Sequence, residues 1–115
     1  MIMLTINQII KIAEEGVSVR QTRKIPEEKL KGEYDPAAKE AIIYLSAIRS
    51  GRDRDITLLH ELIHARDDVQ GKRRFRNSNQ EYLVEKEAIA TYYQRKEVLD
   101  FAKDFYRVRN FEKRK

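Results

Sequence analysis

The stretch D-I-T-L-L-H-E-L-I-H-A-R-D-D, residues 55–68, holds both histidines of the chain, four positions apart, with a glutamate directly after the first. On a helix, His60 and His64 fall about 40° apart on one face and one turn apart along it. Two imidazole nitrogens at that separation can grip one ion at about 2 Å each. Glu61 lies about 100° round from His60, too far to ligate beside it but placed to reach a water on such an ion. Ile56, Leu58, Leu59, Leu62 and Ile63 fill the remaining arc, so one side of the helix is core and the other carries chemistry. That chemistry is a metal centre with a carboxylate base next to it.

A hydrolytic zinc site has three protein ligands and one open position, and a chain without cysteine or a third histidine must supply the third from a carboxylate. Glu81, Glu85 and Glu87 lie on a second predicted helix, at residues 80–93. Setting Glu87 at zero, Leu83, Val84 and Thr91 share its side of the wheel, within about 60°, while Glu85 points about 160° away. A carboxylate emerging from a core-facing stripe must be paired or metal-bound, which favours Glu87 as the ligand. Thr91, one turn further on, could accept a hydrogen bond from a ligand imidazole and fix its tautomer, or be an ordinary core threonine.

These helices need a frame. Ile6, Ile9, Ile10 and Ala13 recur at helical spacing, so residues 5–15 read as a backing helix stopped by Gly16. Residues 17–23, 31–34 and 40–46 read as three strands, the last rich in β-branched and aromatic residues. Residues 50–54 read as a polar turn, with Asp55 capping the histidine helix; residues 71–79 read as a basic loop. Residues 98–108 have helical periodicity, with Phe101, Phe105 and Val108 packing back, before the chain becomes fully charged. The expected fold class is a small α+β domain: backing helix, short twisted three-stranded sheet, histidine helix, second carboxylate-bearing helix and a C-terminal helical tail.

Composition narrows the partners. A chain of 115 residues is one domain's worth, and 41% hydrophobic with 37% charged residues gives a compact core under a heavily solvated surface. No apolar run approaches membrane-spanning length and no signal segment is seen, so a cytoplasmic protein with no membrane partner is expected. The net charge of +5 is concentrated in residues 72–76 and 107–115, yet acidic residues occur in every segment. A solvated surface of the kind thermophiles favour is therefore preferred over a nucleic-acid footprint.

His60-Glu61-Leu62-Ile63-His64 followed by Lys86-Glu87-Ala88-Ile89-Ala90-Thr91-Tyr92 resembles the gluzincin group of zincin metallopeptidases, and the small size is most like the single-domain minigluzincins. The match spans residues 40–94. The resemblance implies a zincin-like domain over residues 1–97, with Zn2+ held by His60, His64 and Glu87. It also implies hydrolysis of a peptide or protein substrate, with Glu61 as general base on the zinc-bound water. Thermolysin-like members carry Asn and Asp where this chain has Lys86 and Thr91, which leaves the partner of His64 open; Asp68, one turn beyond, is a substitute. Tyr92 and Tyr93 are candidates for the oxyanion stabiliser, as are the arginines of residues 72–76. If residues 40–46 form the edge strand above the cleft, a peptide could add to them as another strand. Minimal gluzincins are thought to be made as latent forms, which would make residues 98–115 an autoinhibitory segment. Two other classes compete: a basic nucleic-acid-binding module, and a zinc-bearing protein-interaction module without turnover.

Overall fold

The histidine helix is the spine of the domain. In the computed structural model, which describes residues 2–72 and 78–109, it is α2, Gly51–Val69, preceded by α1 (Ile6–Glu14) and by the strands β1 (Ser18–Thr22), β2 (Gly32–Asp35) and β3 (Glu40–Tyr44). It is followed by α3 (Ser78–Gln94) and α4 (Lys96–Phe105), giving a small compact α+β domain with four helices and a three-stranded sheet.

Each boundary has a local cause. Thr5 caps α1 by a reciprocal pair: its hydroxyl accepts from Gln8 N at 3.1 Å, and its own N–H donates to Gln8 Oε1 at 3.0 Å. Gly16, at φ +93°, reverses the chain after α1, a conformation glycine adopts without strain. The buried face of α1 is Ile9 and Ile12 with Ile6 beside it; Ile10, expected inside, is exposed. Asp35 Oδ1 accepts from the N–H groups of Ala37 and Ala38, at 3.0 and 3.2 Å, and so turns β2 into β3.

The sheet order is β1-β3-β2, with β1 parallel and β2 antiparallel to β3. The third strand is therefore central, not the edge that the sequence suggested, and its residues Ala41 to Tyr44 are buried in unbroken succession. A strand paired on both sides and covered on both faces reads as a continuous apolar run. The antiparallel edge strand is β2, its residues buried or half-buried.

α2 starts four residues before the expected cap. Ser50 is the N-cap, its Oγ accepting from Asp53 N at 3.1 Å, so the polar 50–54 segment is the first helical turn. Asp55 is instead buried within the helix, paired with Arg54 at 3.1 Å and with Lys103 of α4 at 3.4 Å. Ala41 and Ile43 of the sheet meet Leu58, Leu59, Leu62 and Ile63 of α2, Val84 and Ala88 of α3 and Leu99 of α4 in one core cluster. Val108 is buried and Phe101 partly so, but Phe105 is half exposed, against expectation. Among the described residues no helix is long and apolar enough to cross a membrane. Residues 73–77 and 110–115, which carry most of the basic loop and the charged end of the expected autoinhibitory segment, lie outside the described residues.

Candidate metal centre

The roll of α2 about its axis is fixed by Leu58, Leu59, Leu62 and Ile63, all fully buried. With that side pinned, His60 and His64 emerge together at the rim of the core, their side chains 12% and 17% exposed. Their rings meet edge to face with centroids 4.9 Å apart, and their Nε2 atoms are 3.2 Å apart. α3 lies antiparallel across them and contributes two carboxylates, also one turn apart. Glu81 bridges both imidazoles, Oε2 at 2.9 Å from His60 Nε2 and Oε1 at 3.0 Å from His64 Nε2. Glu85 Oε1 stands 3.6 Å from Nδ1 of His60.

His60, Glu61 and His64 form a group whose ligand atoms all lie within 4.8 Å of one another and could hold a metal ion. A tetrahedral ion with bonds of about 2.0–2.1 Å needs its nitrogen donors about 3.3 Å apart, close to the spacing of the two Nε2 atoms. The electrostatics favour a cation at the same place. Burial alone would pull His60 down, but Glu85 against Nδ1 and the charges of Glu61, Glu85 and Glu81 raise its pKa to about 9. The donor set of two imidazoles and a carboxylate suits zinc and other borderline divalent metals.

Glu61 is 5% exposed and faces β2. A Cβ at Gly32 would stand 3.1 Å from Glu61 Oε2 and 2.8 Å from both Ile42 O and Thr57 Cγ2. Only glycine lets the strand pass this close. Two contacts hold β2 along α2 on either side of that point: Lys31 to Asp53 at 2.9 Å, and the Tyr34 hydroxyl donating to Asp68 Oδ2 at 2.8 Å. Burial, then the bond to Asp68, raise the Tyr34 hydroxyl well above its ordinary pKa, so it stays a donor. Gly32→Ala is expected to destabilise the fold by about 1–3 kcal/mol, through overpacking against backbone and two side chains. A denaturation midpoint equal to wild type would show that β2 moves aside freely.

The other expected site residues are placed elsewhere. Glu87 is buried as its helical phase required, but both of its oxygens are engaged by the Arg66 guanidinium, Oε1 at 3.0 Å from Nη2 and Oε2 by Nη1. It lies six residues past Glu81, about 9 Å along the helix and 120° round it, on a different face from the carboxylate that touches the histidines. Thr91 is a core threonine: its hydroxyl donates to Glu87 O at 2.9 Å and accepts from Leu4 N at 3.2 Å. Asp68 serves Tyr34, tying β2 to the end of α2. Tyr92 and Tyr93 lie eleven and twelve residues past Glu81, about 17 Å along α3, beyond the reach of a tyrosine side chain. Their rings meet edge to face, and the Tyr93 hydroxyl accepts from Arg52 Nη1 at 3.1 Å.

Glu81 and Glu85 are among the three carboxylates the second helix offers, although its phase favours Glu87; Arg66 and Gly32 carry no sign of their roles in the sequence. The available signal was the spacing itself, because Glu81 and Glu85 repeat the four-residue interval of His60 and His64. Two such pairs on antiparallel helices can face each other across one ion. No protein family, characterised protein or solved structure was found to match the chain.

Proposed function

We propose that this protein is a zinc-dependent peptidase of the zincin kind, with His60, His64 and Glu81 as the ligands and Glu61 as the general base. The observation that carries this reading is the convergence of two imidazole Nε2 atoms, 3.2 Å apart, on one bridging carboxylate, with the buried Glu61 next in sequence to His60. Zinc, when bound, would supply Lewis acidity and lower the pKa of a water from about 15.7 toward 7. Glu61 takes the proton of the attacking water and delivers it to the leaving amine nitrogen. The Glu85 carboxylate, 3.6 Å from Nδ1 of His60, favours the tautomer with its proton there and Nε2 free to ligate. The unpaired edge of β2, held beside Glu61 by Gly32, receives the substrate backbone as an added strand.

The test is metal analysis beside peptide digestion for wild type, His60→Ala and Glu81→Ala. Wild type is expected to bind one zinc per chain and to cut peptides, while both variants lose metal and activity together. Zinc uptake near neutral pH should release a proton, because His60 is held protonated up to about pH 9 in the metal-free protein. Full zinc content in Glu81→Ala would remove Glu81 from the ligand set.

A further inference from the structure

A groove of about 510 Å³ lies between the first half of α2 and the C-terminal half of α3, next to the metal centre. Glu85, which touches His60, lines its inner end. Ile56 and Ile89 form its walls, and Arg49, Arg52 and Tyr93 its outer end. Resting on the peptidase reading, we propose that this groove is a specificity subsite for a carboxylate side chain of the substrate, received by Arg49 and Arg52.

The charges within the groove change sign along its length. The inner end carries Glu85, which stands 3.6 Å from His60 Nδ1. At the outer end the one nearby carboxylate, Asp53, is already engaged: Oδ1 takes Lys31 Nζ at 2.9 Å and Oδ2 takes the Arg49 backbone N–H at 3.0 Å. Arg52 Nη1 meets only the neutral Tyr93 hydroxyl, and the Arg49 guanidinium has no hydrogen-bond or ion-pair partner among the described residues. Two guanidinium groups without a counter-charge beside a half-open apolar wall select an anion carried on a short aliphatic stem.

The distances suit a neighbouring residue of the same peptide. Ile56 and Arg52 lie four and eight residues before His60, about 6 and 12 Å along α2. An extended peptide advances about 3.3 Å per residue. A glutamate or aspartate two or three residues from the cleaved bond therefore brings its carboxylate to the arginines, while its stem lies on Ile56 and Ile89.

The experiment uses matched fluorogenic peptides, blocked at both ends, carrying Glu, Gln or Lys at the second or third position on either side of the cleaved bond. Wild-type kcat/KM is expected to favour Glu over Gln by about tenfold on one side, the size of one charge-assisted contact at a partly open site. That ratio should fall to near one in the Arg49→Gln/Arg52→Gln double variant, and Arg52→Glu should turn the preference toward Lys. In parallel, binding of the same labelled peptides to zinc-loaded Glu61→Gln protein reads the groove without turnover. Tighter binding of the Glu peptide, with no cleavage of any peptide by wild type, would uphold the groove and reject the peptidase reading. Cleavage without discrimination between Glu and Gln, or a preference that survives the double variant, would overturn the groove.

Discussion

Replacing Glu61 with Gln is expected to leave zinc content and fold intact and to lower peptide hydrolysis by about 10²- to 10⁴-fold, the range general-base catalysis contributes. Glutamine keeps the size and one hydrogen-bonding oxygen of the side chain, so the packing beside Gly32 and Thr57 is undisturbed. It cannot take a proton. Glu61 lies about 100° round the helix from His60, and under the proposed ligand set of the two imidazoles and Glu81 it touches the water and not the ion, so the ion should stay. Metal analysis, thermal unfolding and peptide digestion on the same preparation separate these effects. Activity equal to wild type would remove Glu61 from the mechanism. A zinc-loaded wild type that cuts no peptide would instead favour a zinc-bearing interaction module.

The frame of this site was legible in the sequence because it depends on local periodicity. The backing helix, three strands and two long helices follow from apolar spacing and glycine stops, and the pairing of His60 with His64 follows from the helical repeat. What one element's pattern cannot carry is its partner across space. Helical phase placed Glu87 on an inward face, and inward it is, but phase alone does not say whether an ion or an arginine waits there. Arg66, two residues past His64 in the charged run A-R-D-D, carries no sign of burial in the sequence, yet it is 3% exposed and turned into the core. The central position of β3 was hidden for the same reason, since strand order is a matter of tertiary pairing. The early start of α2 was hidden because its first turn is polar, and Ser50 and Asp55 are both acceptable caps.

The largest expected effect on stability is that of Glu87→Ala. Arg66 and Glu87 are 3% and 7% exposed and joined through both carboxylate oxygens, with Asp67 Oδ1 accepting from Arg66 Nη2 at 3.0 Å. Burial by itself disfavours the charged guanidinium, but Glu87 first and then Asp67 outweigh that and raise the Arg66 pKa. Removing Glu87 leaves a buried cation with part of its compensation gone, at a cost of about 3–5 kcal/mol. Neutralising the whole cluster, Arg66→Met with Glu87→Leu and Asp67→Asn, should recover most of that loss, because the penalty comes from the orphaned charge more than from the missing attraction. Zinc content per folded molecule should remain that of wild type in both variants, since the carboxylate on the imidazoles is Glu81's. Glu81→Ala should behave in the opposite way, losing metal while the metal-free fold keeps its denaturation midpoint, its side chain being 43% exposed. Loss of zinc from Glu87→Ala protein that remains folded, with zinc retained in Glu81→Ala, would transfer the third ligand to Glu87 and make its bond to Arg66 a feature of the metal-free state alone.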